Sequence, residues 1–341
     1  MIVDIRGNLV TPPEAYFIKS QILVDRGWGL GVAMPSEERY AEYAAKTVEY
    51  MDLSGTDLRL VVPRAFHFAN SARPSLVVHQ WIRAYNDIVA GIVRQCPDRL
   101  AGVGALAQVA GEAPSVCFSE LERCVNELGF VGVVLNPDPG EGDGLTPHLG
   151  DPYWYPLYER LEDLGVAAIV ISGATQNARE SYFSHHINEA SIAAEALIEH
   201  PEVFERFPGL RLVISYGGGS LPYQVGRLRI RRWRQPEKED FERSLRRLYF
   251  DTVVHTRESL ELLLRVCGTD RCLFGTHMPG SGSGREPESG RAGDDLRPLI
   301  ESIEWLTDAD RHLIFEDNAR AVFSRLGAPA GAMVGLEERQ Q

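Results

Sequence analysis

No apolar run in this 341-residue chain approaches the ~20 residues that a membrane-spanning helix needs. No secretory leader precedes the first hydrophobic segment, so a cytoplasmic protein is expected. Cysteine is sparse. Cys96, Cys117, Cys124, Cys267 and Cys272 lie scattered without zinc-type spacing, and an odd number fits reduced thiols better than a disulfide framework. Positive charge is in deficit: 35 Lys and Arg face 48 Asp and Glu, a net charge of −13. That balance argues against nucleic acid or an anionic membrane surface as a partner. It leaves an anionic small molecule open, because local arginines decide the field inside a cleft. No internal repeat and no domain-scale linker divides the chain.

What is present is a rhythm. Eight strand-like apolar runs occur at 1–6, 58–64, 100–109, 130–136, 167–172, 210–216, 248–254 and 272–277, most of them separated by helix-length segments such as ERYAEYAAKTVEYMDL and SVCFSELERCVNEL. Strands alternating with helices imply parallel pairing through crossovers. Eight such units predict an α/β fold, a single-domain (β/α)8 barrel over residues 1–326, with chemistry at the C-terminal strand ends. Two excursions are expected, a long connection at 9–38 broken by Pro and Gly and a Gly/Ser-rich flexible one at 279–296, with a loose tail at 327–341. The strand ends carry Arg6, Asn8, Arg64, Asn136, Asp138, Tyr216, Asp251, His255 and His277.

Several stretches, in order from the first residue to about residue 326, carry a family resemblance: MIVDIRGNLVTPP, TDLRLVVPRA, CVNELGFVGVVLNPDP, DPYWYPLYERL, FERFPGLRLVISYGGGSLPYQVGRLR, LYFDTVV, CLFGTHMPG and EDNARAVFSRL. With these the chain resembles the amidohydrolase-related (amidohydrolase 2) family of aminocarboxymuconate semialdehyde decarboxylase and its relatives, its hydratases most of all. The resemblance implies a barrel enzyme acting on a carboxylated small molecule. It also implies metal ligands that this chain has exchanged. Arg6 and Asn8 stand where the family has Asp-x-His-x-His, Ile171 where a third histidine is expected, Tyr216 where His-Gly-Gly-Gly begins, Gln224 where the hydratases carry another histidine, and His277 where relatives have Asp or Glu. Arginine offers no lone pair and isoleucine no donor atom, so no metal and no other cofactor is expected at that position.

The replacements then become the candidates. His277 is expected to act as general acid or base, with Asp251 orienting it and Tyr216 donating to an oxyanion. Arg6, Asn8, Arg64, His185, Asn188 and His255 are the expected substrate contacts, the arginines as carboxylate clamps. Against this stand plainer roles: Arg6 as a partner of Asp251, Arg64 in a strand-end salt bridge, Tyr216 as filler. Asn136 and Asp138 read as turn-formers, one of His185 and His186 as solvated, and His67, His79, His148, His200 and His312 as surface or helix residues. Three functional classes remain: a metal-independent lyase or hydrolase (hydration, tautomerisation, hydrolysis or decarboxylation), a non-catalytic binding or partner subunit, and a relocated metal site using Asp251, His255, His277 and His185 or His186. Decay leaves small or apolar residues, whereas Arg6, Asn8, Tyr216 and His277 are polar, which favours the enzyme. A homodimer is compatible with this reading.

Overall fold

The computed structural model describes residues 1–25, 31–280 and 283–326; the tail expected at 327–341 lies outside the described residues, as do parts of both excursions. Eight strands run β1 (Val3–Asn8), β2 (Leu58–Val62), β3 (Leu100–Ala105), β4 (Gly132–Leu135), β5 (Ala167–Val170), β6 (Leu212–Ile214), β7 (Tyr249–Asp251) and β8 (Cys272–Leu273). Each pairs in parallel with the next, in sequence order. The ring is brought round by the chain just past β8: Ile5 N–H donates to Phe274 O at 2.9 Å, and His277 N–H donates to Arg6 O at 2.8 Å. The barrel is the expected one.

Why these runs make strands is plain from burial. Leu60 to Val62, Val133 to Leu135 and Ala167 to Val170 are all at most 1% exposed. A strand covered by helices on one side and filling a barrel on the other has no polar face, so it reads as a continuous apolar run. The outer helices include α1 (Pro13–Asp25), α2 (Glu37–Ser54), α3 (Ser75–Val93), α4 (Phe118–Asn126), α5 (Tyr155–Asp163) and α6 (Tyr182–Glu199). The first of these corrects the expectation of an irregular connection over 9–38. Pro13 is the first residue of α1, where its missing N–H is no loss, so it starts the helix instead of breaking it.

The start of α6 matters most for the site. Ser184 N–H donates to Ser181 Oγ at 3.1 Å and Ser181 N–H donates to Ser184 Oγ at 2.8 Å, a reciprocal cap that fixes the first turn. Residues four apart share a face. Tyr182 with His186 forms one stripe there, and His185 with Glu189 forms another.

Candidate active site

At the C-terminal end of the barrel, Arg6 from β1 is 1% exposed and Asp251 from β7 is fully buried. Arg6 Nε lies 3.6 Å from Asp251 Oδ2. Asp251 Oδ1 accepts the backbone N–H of Gly217 at 3.0 Å and of Val253 at 3.1 Å. Arg6 Nη2 donates to the Tyr216 hydroxyl at 3.5 Å, and the guanidinium carbon lies 5.5 Å from that ring's centre. Arg6 Nε and Nη1 and Asp251 Oδ2 have no hydrogen-bond partner among the described residues. A buried cation therefore stands behind the Tyr216 hydroxyl with donor capacity to spare.

A cavity of about 300 Å³ opens at this point, lined among others by Tyr182, His186, Tyr216, His255 and His277. The Tyr216 ring stacks on His186 at 5.6 Å and meets His277 edge-on at 5.8 Å. Tyr216 has φ 52° and His277 φ 62°, the left-handed region that side chains other than glycine rarely occupy. Such backbone persists only where the surroundings enforce it, and it concentrates at functional sites. Two strained residues facing one cavity from the ends of β6 and β8 are the strongest local mark of a site.

Its electrostatics follow from burial beside a fixed cation. Burial first, then the Arg6 charge, pushes the His186 imidazole down to about 3 and His277 well below its ordinary value. Burial pushes the Tyr216 phenol up to about 12. At neutral pH the cavity thus holds two uncharged imidazoles and a phenol that keeps its proton. His186 Nδ1 is engaged by Ser172 Oγ at 2.7 Å, while His186 Nε2 and His277 Nδ1 have no partner among the described residues.

The remaining expected residues divide. Asn8 Nδ2 donates to the carbonyls of His277 at 2.8 Å and Pro279 at 3.0 Å, and Arg64 Nη2 donates to Pro279 O at 2.6 Å. Both therefore hold the chain that leaves β8, and Arg64 forms no salt bridge among the described residues. His255 lines the cavity with Nδ1 3.0 Å from Gly293 O, and Ser283 Oγ donates to Asp294 Oδ2 at 2.5 Å, so the described part of 279–296 is tied down at the mouth. His185 and Asn188 are not in this cavity. Both turn to Glu180, His185 Nδ1 at 2.8 Å from Oε2 and Asn188 Nδ2 at 3.3 Å from Oε1.

Three expectations need correcting. Asp251 does not orient His277; its oxygens are turned to Arg6 and to backbone N–H groups, and the histidine's pKa falls instead of rising. Neither His185 nor His186 is solvated: both are buried, His185 against Glu180 and His186 in the cavity against Ser172 and Tyr216. His67 is not a surface residue: it is fully buried among Phe66, Trp81 and Tyr85, and burial pushes it down to about 3. Asn136 is the turn-former expected, its Oδ1 accepting Asp138 N–H at 3.0 Å. Sequence reasoning gave His186 no role of its own, and it passed over Ser172 and Tyr182. The four-residue spacing of Tyr182 and His186 was the available signal.

An amidohydrolase family model (amidohydrolase 2) matches residues 3–325, and the chain belongs to that family. Among curated relatives, 2-keto-4-carboxy-3-hexenedioate hydratase of Sphingobium sp. (strain SYK-6) is 34% identical over 336 residues, covering 96% of this chain and 97% of that protein. Among solved structures, 4-oxalomesaconate hydratase from Rhodopseudomonas palustris superposes with TM-score 0.83 at 31% identity, covering 96% of each chain. A dihydroxybenzoic acid decarboxylase from Polaromonas sp. JS666, solved with manganese, shares the fold at TM-score 0.70 and 20% identity over 95% of this chain and 96% of that one.

A divalent metal held as the family resemblance implies does not fit the residues present. Arg6 brings a positive charge and no lone pair to the floor, Ile171 is apolar and fully buried, and the Asn8 amide oxygen, though without a partner among the described residues, is a single weak neutral ligand. The relocated combination of Asp251, His255 and His277 is not assembled either. Among the described residues, the three-residue group within ligating distance is a different one: Asp138, His185 and Glu189.

Proposed function

We propose that the chain is a lyase, of hydratase type, acting on a small unsaturated carboxylate at the Tyr216–His186–His277 cavity, without a metal at the barrel floor. The observation that carries this reading is the pairing of a buried arginine behind a proton-bearing Tyr216 with two uncharged imidazoles across one cavity. Hydration of a carbon–carbon double bond conjugated to a carbonyl needs a base for the water and a hydrogen bond to the enolate oxygen that develops. His277 removes the water proton through an unprotonated ring nitrogen as oxygen bonds to carbon. Tyr216 donates to the enolate oxygen, and the Arg6 charge behind it stabilises the anion in a water-poor setting. Return of the proton to the neighbouring carbon completes the addition of water.

The same parts would stabilise the carbanion left by decarboxylation, a chemistry named in other members of the family. Hydration is preferred because two relatives above 30% identity that cover nearly all of the chain are hydratases. Arg64, outside the lining but near enough for its charge to act on His277 and Tyr182, supplies charge for a substrate carboxylate. A non-catalytic subunit would have no need to hold Tyr216 and His277 in strained backbone. The test is turnover of 4-oxalomesaconate and related unsaturated tricarboxylates, read as loss of the conjugated chromophore, with Tyr216→Phe as control. No turnover of any unsaturated or aromatic carboxylate by folded protein would refute the reading.

A further inference from the structure

Beside the active-site cavity lies a second, separate one of about 260 Å³, between the loop after β4 and α6, lined by Asp138, Thr146, Asn177, Glu180 and Glu189 among others. One ligand atom from each of Asp138, His185 and Glu189 lies within 4.8 Å of the others. Clustered carboxylates alone would mean little. What adds direction is His185, 1% exposed, whose Nε2 has no hydrogen-bond partner among the described residues and lies 3.9 Å from Asp138 Oδ2. Its other nitrogen, Nδ1, is 2.8 Å from Glu180 Oε2. A carboxylate can only accept there, so Nδ1 carries a proton, and Nε2 is the nitrogen left to face the two acids and to take up an ion in place of a proton. A histidine held by a carboxylate on one nitrogen and open on the other is the arrangement that orients metal ligands.

We propose that Asp138, His185 and Glu189 bind a divalent transition-metal ion at the barrel mouth, outside the cavity where catalysis is placed. One imidazole nitrogen and two carboxylate oxygens are three protein ligands of the kind Zn²⁺ or Mn²⁺ accepts, with positions left for water from the cavity. Ligands around such an ion sit roughly 3–4 Å apart, given bonds of about 2.1 Å, so closing the site needs an inward shift on the order of 1 Å. No lysine or arginine forms an ion pair with Asp138 or Glu189 among the described residues. The bound ion ties the loop after β4, through Asp138, to the first turns of α6. That helix also carries His186 into the active site, so the ion steadies the wall between the two cavities.

The test uses Zn²⁺ alone on chelator-stripped, full-length protein, by calorimetry and by elemental analysis after gel filtration. One equivalent is expected, with a Zn²⁺-dependent rise in thermal midpoint. Glu189→Gln and His185→Gln should abolish both, and Glu180→Gln should weaken binding about 10–100-fold as the loss of an orienting partner. Asp251→Asn should bind as wild type. Absence of saturable binding to wild-type protein overturns the proposal without recourse to any variant. So does binding that survives Glu189→Gln, or binding that Asp251→Asn removes, which would put the ion at the barrel floor.

Discussion

Arg6 Nε and Asp251 Oδ2 face each other at 3.6 Å with both side chains out of solvent, across the barrel floor between β1 and β7. In the proposed reading the pair puts a fixed side-chain cation where the resemblance implies a metal. Its energetics are testable. Removing one member of a buried pair leaves an uncompensated charge, typically about 3–5 kcal/mol less stable. We expect Arg6→Met to lose roughly that much in urea unfolding, and Arg6→Met with Asp251→Leu to regain part of it. Equal stability of Arg6→Met and wild type would show that the charges are not coupled.

Tyr216→Phe deletes one oxygen. Its hydrogen bond from Arg6 is long at 3.5 Å, so little stability depends on it. Turnover should nevertheless fall about 10²–10³-fold, the usual loss of an oxyanion donor, with KM little changed. A Tyr216→Phe enzyme with wild-type kcat would make the tyrosine a packing residue.

His277→Asn should lower kcat by roughly 10²–10⁴-fold. The direction of the histidine's shift also fixes the pH profile. A base whose pKa is held well below 6.5 stays unprotonated through neutrality, so activity should be flat there and decline only in acid. An acid limb centred on the ordinary imidazole range of about 6.5 would place another group in the role.

For Arg64→Met we expect weaker substrate binding, roughly 2–5 kcal/mol if the carboxylate contact is desolvated. Because Arg64 also holds Pro279 O at 2.6 Å, the fold of the variant must be checked by circular dichroism. Unchanged KM in folded protein would leave Arg64 as a strut of the loop alone.

Acid should unfold the protein through His67 and His186, both pushed down to about 3 by burial. In the unfolded chain they protonate near 6.5, so between those values the unfolded state binds more protons and stability falls as pH falls. The midpoint in urea should therefore drop from pH 7 to pH 4, and less steeply in His67→Phe. An identical slope in that variant would remove His67 from the account.

The fold was legible because buried parallel strands are apolar on both faces, and even two-residue β8 announced itself as CLFGTH. Helix α1 was hidden because Pro13 reads as a breaker when its position relative to the helix start is unknown. The strand-end rule found Arg6, Tyr216, Asp251, His255 and His277, since barrel geometry alone puts those side chains at the mouth. Partnership was not legible. That Asp251 serves Arg6 and two backbone N–H groups instead of His277 depends on where the Gly217 and Val253 amides point, which no spacing reports. His67 sits in a single turn after β2 with no periodicity to reveal its burial. His185 and His186, one residue apart, diverge, one to Glu180 and the other into the active-site cavity, because a helix turns about 100° per residue.

Turnover by metal-stripped protein tests the central claim most directly. Glu189→Gln enzyme, in which the second site cannot fill, should keep on complete stripping by chelator the kcat it shows before stripping on an unsaturated tricarboxylate, because Arg6, Tyr216 and His277 supply the chemistry. Activity that vanishes on stripping and returns with Zn²⁺ or Mn²⁺ would contradict it.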